Sequence, residues 1–194
     1  DEVYFLPQSP YCPVGCLRDQ LLYPSNKPLE TNDKKEIGSK HRNNDLLLRQ
    51  SMTDEELLAI LDAVDLEDLA CRAGNGDSIK GLAAVMDWSN TLSLGEQQRL
   101  AFGRVLVNRP RLVILDEATS ALDIESEARM YQLLKEERNS CEGERWTTYI
   151  SVGHRPSLLA YHEKKLRLCR SGTHEFGEID KSSEAVTIGS ISNM

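Results

Sequence analysis

Two acids stand side by side at Asp116-Glu117, directly after four apolar residues, Leu112 to Leu115. The apolar run has the length of a buried strand, and successive residues of a strand point to opposite faces. Carboxylates at the end of such a strand are costly near an interior unless a cation or base chemistry uses them. A second device lies upstream, at Leu92-Ser93-Leu94-Gly95-Glu96-Gln97-Gln98. Ser93 with Glu96 three residues on has the capping-box spacing. A helix N-terminus with free N–H groups and a small Gly95 is suited to an anion, although an ordinary well-capped helix uses the same residues. Two further polar side chains follow short apolar runs: Gln8 after Val3 to Leu6, and His154 after Thr147 to Val152.

These groups need elements to hold them. Val3 to Leu6 reads as a strand ending at Pro7-Gln8, followed by an extended loop with Pro10, Pro13 and Gly15. Leu17 to Tyr23 is expected to form a helical turn or two. Residues 24–45 hold only Leu29 and Ile37 as large apolar side chains, so they cannot offset their ordering entropy and read as a mobile insertion, with His41 solvated. One helix is expected from the capping box Thr53/Glu56 to about Gly74, with Leu57, Leu61 and Val64 on one face. The helix after Ser93 runs through Val107, turns Ala101, Phe102, Val105 and Leu106 inward, and stops at Asn108-Arg109-Pro110. A charged helix over about 124–138, a loop with Cys141 and Gly143, and a β-branched strand at Thr147 to Val152 follow. A last strand is expected near Lys165 to Cys169, then a frayed, flexible tail over 171–194. His162 reads as structural.

Composition excludes several classes. The chain has 194 residues, 28% of them charged, and a formal net charge of −8, which argues against a nucleic-acid surface. No apolar run approaches the roughly 20 residues that cross a bilayer, and no signal-type segment is present. The five cysteines are scattered and odd in number, without zinc spacing, which points to reduced thiols. The opening strand, with Asp1 in place of an initiator Met, reads as part of something longer.

From Trp88 to Asp123 the chain resembles the ATP-binding-cassette (ABC) family: a signature motif at 92–98, a Walker B strand ending in Asp116-Glu117, and a D-loop at Ala118-Thr119-Ser120-Ala121-Leu122-Asp123. PQ-x-P-Y at 7–11 resembles the Q-loop, and Ser151-Val152-Gly153-His154-Arg155 the switch histidine. The wording of these motifs is similar to subfamily D half-transporters and their bacterial SbmA/BacA-like relatives. The resemblance implies an α/β fold: a partial P-loop NTPase (RecA-like) core with parallel strands plus an ABC-type helical subdomain. The corresponding regions are 1–10 (core strand and Q-loop), 11–107 (helical subdomain), 108–170 (Walker B, D-loop and switch His) and the tail.

The resemblance also implies roles. ATP and Mg²⁺ are the expected cofactors, with Gln8 and Asp116 toward the metal and Glu117 polarising the attacking water. His154 would reach the γ-phosphate. Ser93, Gly95 and Glu96 would face ATP held by an opposite cassette, and Asp123 would communicate with that subunit. Here Leu94 and Glu96 depart from the common Leu-Ser-Gly-Gly-Gln, which puts an extra negative charge on the turn unless Glu96 is occupied in capping. The implied partners are a transmembrane domain upstream in the same polypeptide, a second cassette and a transported small molecule, with acyl-CoA or fatty-acid-like compounds, cobalamin and peptides as candidates. A peroxisomal, plastid or bacterial inner membrane would be the site, with the cassette on the nucleotide side. A chromosome-maintenance ATPase shares the signature, but heptad coiled coils and basic surfaces do not occur here. The other open reading is a non-catalytic interaction module that dimerises with an intact cassette, since no G-x-x-x-x-G-K-[ST] stands anywhere in the chain. Titration of the 194-residue chain with a fluorescent ATP analogue is therefore expected to show no micromolar binding; micromolar affinity would overturn the assignment of the phosphate cradle to residues outside it.

Overall fold

The computed structural model describes residues 3–24, 52–140, 147–169 and 172–180, with 137–140 described by their backbone alone. The insertion expected over 24–45, from residue 25 on, lies outside the described residues, as do Cys141, Gly143 and the tail beyond 180. The chain forms two compact units, Asp1–Ile150 and Ser151–Met194.

In the first unit, strands β1 (Val3–Leu6) and β2 (Leu112–Asp116) pair in parallel, with Val3 opposite Leu112 and Leu6 opposite Leu115. Strand β3 (Thr148–Val152) completes a sheet of order β1-β2-β3. Parallel strands carry apolar side chains on both faces, and these do. Leu6, Val113 and Leu115 are buried, while Val3, Phe5 and Ile150 on the alternate positions are exposed. Helix α7 (Ile124–Ser140) brings Tyr131 edge-on to Phe102 and to Tyr149 of β3, with ring centroids 6.5 and 5.7 Å apart.

Between β1 and β2 the chain makes six helices among the described residues: α1 (Leu17–Leu22), α2 (Asp54–Ala63), α3 (Glu67–Ala73), α4 (Ser78–Leu82), α5 (Trp88–Thr91) and α6 (Leu94–Asn108). Their apolar faces close a core of Leu17, Leu21, Leu57, Leu61, Val64, Leu82 and Leu100, each fully buried. Among the described residues Trp88 is the largest buried side chain of this unit, and its indole N–H donates to the Gly15 carbonyl at 3.0 Å.

The single helix expected from Thr53 to Gly74 is two. The Thr53/Glu56 capping box forms as expected, but α2 ends at a Schellman turn with Asp65 in the left-handed region at φ 58°. Leu66 N–H donates to the Leu61 carbonyl at 2.8 Å and Asp65 N–H to the Asp62 carbonyl at 3.1 Å. Arg129 of α7 then takes the carbonyls of Ala63 and Asp62 and pairs with the Asp65 carboxylate at 2.9 Å. A cation at a helix C-terminus is favourable, and this one comes from a residue 64 positions beyond Asp65. The apolar spacing continues through Leu66 and Leu69, which hides the break.

The second unit holds a 3₁₀ turn (Pro156–Tyr161) and an antiparallel hairpin, β4 (Lys164–Leu168) with β5 (His174–Glu178). Strand β5 falls where the tail was expected to fray. Its register sets Lys164 opposite Glu178 and Arg167 opposite Glu175, and the Gly172 turn at φ 80° closes it. A single apolar residue in His174–Glu178, Phe176, leaves little periodicity to read. His162 Nδ1–H donates to the Leu158 carbonyl, 2.8 Å away, in keeping with a structural role. The described cysteines, Cys12, Cys16, Cys71 and Cys169, are free thiols.

Helices α3 and α4 touch backbone to backbone at Gly81, where an added Cβ would lie 1.7 Å from the Ala70 carbonyl oxygen. Gly81→Ala is expected to cost about 1–3 kcal/mol in chemical unfolding. Gly177→Ala, which meets open space, is the control and should change little.

Candidate functional site

The strand register decides what meets at the end of the sheet. Leu6 sits opposite Leu115, so Gln8 and Glu117, each two residues further on, emerge side by side. The Gln8 side-chain amide donates to Glu117 Oε2 at 3.2 Å although the two are 109 positions apart. This end of a parallel sheet, beyond the strand C-termini, is where ligands bind in open α/β folds.

Glu117 has a left-handed backbone, φ 48°. For a residue with a Cβ this is unusual and costs on the order of 1–2 kcal/mol. The turn that follows fixes it: Ser120 N–H donates to the Glu117 carbonyl at 3.0 Å, and Leu122 N–H to the Thr119 carbonyl at 3.0 Å. Ala118, Thr119 and Leu122 are buried beneath, and the Thr119 hydroxyl donates to the buried Glu127 at 2.8 Å. Asp116 closes β2, half-buried. Among the described residues, no three His, Cys, Asp or Glu side chains form a metal-binding group. One carboxylate and one amide oxygen from Asp116 and Gln8 fit magnesium, which takes one or two protein ligands and completes its shell with phosphate and water.

The capping box of α6 forms as read from the sequence. Glu96 N–H donates to Ser93 Oγ at 3.3 Å, and Glu96 Oε2 accepts from both the Ser93 N–H and hydroxyl at 2.9 Å. The other carboxylate oxygen pairs with Arg72, the last-turn arginine of α3. Partial burial pushes the Glu96 carboxyl up, but the Arg72 and Ser93 hydrogen bonds outweigh it and hold the pKa below the ordinary 4.5. The extra negative charge on the turn is thus occupied. Leu94 stands partly exposed at 40%. At Gly95 a Cβ would lie 3.2 Å from the Ala121 carbonyl and 3.7 Å from Leu122 Cδ2, so the signature turn and the D-loop touch within this chain.

Asp123 N-caps α7: Oδ1 accepts from the Ser126 N–H at 2.8 Å, and these hydrogen bonds hold its carboxyl below the ordinary carboxylate range. His154 lies in the second unit, two residues beyond the end of β3 and just before the 3₁₀ turn.

Two residues that composition and spacing did not single out complete the site. Arg72 is one. Gln98 is the other: fully buried, its amide donates to the Gln8 carbonyl at 2.8 Å and to Ser120 Oγ at 3.1 Å, and its oxygen accepts the Ala121 N–H at 3.0 Å. The available signal was a polar residue on the inward face of α6, three positions before the buried Ala101 and four before Phe102.

The sequence model of the ABC transporter family matches residues 19–120, more than half of the chain. An uncharacterized ABC transporter ATP-binding protein of Synechocystis is 41% identical over 92% of this chain and 22% of its own length. A protein of Arabidopsis thaliana named ABC transporter D family member 2, chloroplastic, is 40% identical over 86% of this chain and 22% of its own. This chain therefore spans about a fifth of the length of these curated relatives. The fold superposes on a bacterial Atm1-family ABC exporter with ATP bound, with TM-score 0.64 and 20% identity, covering 100% of this chain and 28% of that one.

A depressed carboxyl contributes stability above its unfolded pKa and loses it as the pH falls through the folded value. The Glu96 contribution is accordingly present at neutral pH and fades below about 4.5. Side-chain NMR titration should find Glu96 ionising below the ordinary value, and Arg72→Ala should move it upward; an unmoved titration would dissolve the pair.

Proposed function

This chain belongs to the ABC transporter family, and from that premise we propose that it supplies the water-activating part of an ATP-hydrolysing cassette in a subfamily D type membrane transporter. The observation that carries this reading is the Gln8–Glu117 contact at 3.2 Å, at the open end of two parallel strands.

In this reading Glu117 is the general base. Its left-handed backbone turns the carboxylate out of the strand's alternation, where it orients and polarises the water attacking the γ-phosphate. The Gln8 amide steadies that carboxylate from the neighbouring strand. Asp116 and the Gln8 side-chain oxygen are the groups that would hold magnesium, whose charge, when it is bound with ATP, offsets that of the phosphates. To His154 we assign, from its motif alone, the γ-phosphate and the attacking water.

The signature turn serves a different ATP molecule. Ser93 and the N–H groups opening α6 beside Gly95 bind the γ-phosphate of ATP held by a second cassette, and Asp123 lies at the same dimer contact. Glu96 sits on that turn with its charge offset by Arg72, which reconciles a carboxylate with an anion site. Two cassettes, each joined to a transmembrane domain in its own polypeptide, would work as a pair. The substrate we favour is a fatty-acid or acyl-CoA-like molecule, or another small molecule of that size. The cassette lies on the nucleotide side of a peroxisomal, plastid or bacterial inner membrane; similarity to a chloroplastic relative supports a plastid. Among the described residues no helix is long and apolar enough to cross a membrane.

Glu117→Gln in the complete transporter is expected to abolish steady-state ATP turnover while leaving MgATP binding intact, because the amide cannot polarise water. Turnover at the wild-type rate would remove Glu117 from the role of base.

A further inference from the structure

Three pieces of chain determine where the Glu117 carboxylate sits: the Q-loop that brings Gln8 against it, the turn Glu117–Leu122 that follows it, and α6 beneath both. The strand pairing that joins the two sides ends at Leu6–Leu115. Gln98 bridges them.

We propose that Gln98 is a positioning residue for the Glu117 carboxylate in ATP hydrolysis, an inference that rests on the function proposed above. Its side chain is 0% exposed, so each of its polar atoms needs a partner, and each has one. The two N–H bonds of Nε2 go to different loops: one to the Gln8 carbonyl at 2.8 Å, one to Ser120 Oγ at 3.1 Å. Oε1 takes the Ala121 N–H at 3.0 Å. The amide cannot rotate by half a turn without setting donor against donor at Ala121 and acceptor against acceptor at Gln8.

The consequence for the base is geometric. Gln98 fixes the backbone of Gln8, whose side chain reaches Glu117 Oε2 at 3.2 Å. It also fixes Ser120 and Ala121, and the Ser120 N–H closes the turn on the Glu117 carbonyl at 3.0 Å. One side chain on α6, the helix whose N-terminus carries Ser93, therefore bears on both sides of Glu117. A shift of α6 moves the Q-loop and the D-loop together, so engagement of the signature turn is felt at the carboxylate. Gln98 is fully buried and acts only through Gln8 and the turn.

The test uses the complete transporter. Gln98→Ala should lower kcat about 10- to 100-fold, the range a misplacement of roughly 1 Å produces, with the affinity for a fluorescent ATP analogue within about two-fold of wild type. Leu100→Ala, equally buried on the same helix, provides a variant destabilised by packing loss alone and should keep kcat near wild type. Should Gln98→Ala fail to fold, Gln98→Glu serves. It keeps size and the acceptor for Ala121 but leaves at most one donor for two loops, since burial favours the protonated acid, and should lower kcat in the same direction. Wild-type kcat in a folded Gln98 variant overturns the proposal, as does an equal loss in Leu100→Ala. Glu117→Gln in parallel separates the two readings: if it is inactive while Gln98→Ala or Gln98→Glu is normal, only the positioning role falls. If Glu117→Gln turns over ATP normally, the base assignment and the positioning role fall together.

Discussion

The structure depends on the buried polar edge of α6. The segment from Gln8 to Tyr23 is irregular up to α1, and its carbonyls must be satisfied where helices cover them. Three side chains of α6 do this in turn. Gln98 donates to the Gln8 carbonyl at 2.8 Å. Arg104 donates to the Tyr11 carbonyl at 2.7 Å and the Gln20 carbonyl at 2.6 Å. Asn108 donates to the Tyr23 carbonyl at 3.0 Å. A buried carbonyl left without a donor costs about 1–3 kcal/mol, so this row of donors holds the segment together with the burial of Leu17 and Leu21. Arg104 is 3% exposed. Burial pulls its pKa down, yet a guanidinium stays charged in proteins. Carbonyl dipoles, the Gln20 side chain and the face of Tyr23, 5.3 Å from the guanidinium carbon, stand in for a counter-ion.

That arrangement joins two functions of one helix. The N-terminus of α6 carries the capped serine turn, and its buried face grips the loop containing Gln8. Meanwhile the parallel register of β1 and β2 sets Gln8 beside Glu117. A sheet edge alone would position the two strands but not the loops beyond them. The loops are positioned because Gln98 lies under both and Gly95 lets the turn approach the Ala121 carbonyl. Side chains that could do chemistry thus sit on turns, while the parts that set their distances are a strand register and a helix.

Local patterns were readable in the sequence, and long-range partners were not. The α/β class, the strand ending in Asp116-Glu117 and the capping boxes at Thr53 and Ser93 rest on residues within a few positions of one another, and each formed. The break at Asp65 rests on Arg129, and the neutralised charge at Glu96 on Arg72. Neither partner shares a motif with the residue it serves. Gln98 looked like one more polar residue in a glutamine-rich helix start, because inward direction on a helix is visible only once the facing loop is known. Strand β5 escaped because Phe176 is its single apolar residue, which leaves almost no period to detect.

Glu117 shows why such a site does not settle into the most stable local geometry. Its φ of 48° favours glycine, and a glycine there would relieve about 1 kcal/mol or more. The strain persists because the surroundings over-determine the turn: a buried Ala118, the Thr119–Glu127 hydrogen bond and the Ser120 closure each fix one step of it. The left-handed step is also what carries the glutamate out of the strand, so that it does not simply alternate with Asp116. A glycine would keep the turn and lose the carboxylate. An extended glutamate would keep the carboxylate and lose the meeting with Gln8. Retaining both requires the cost to be met by packing below the turn, where Ala118, Thr119 and Leu122 are buried.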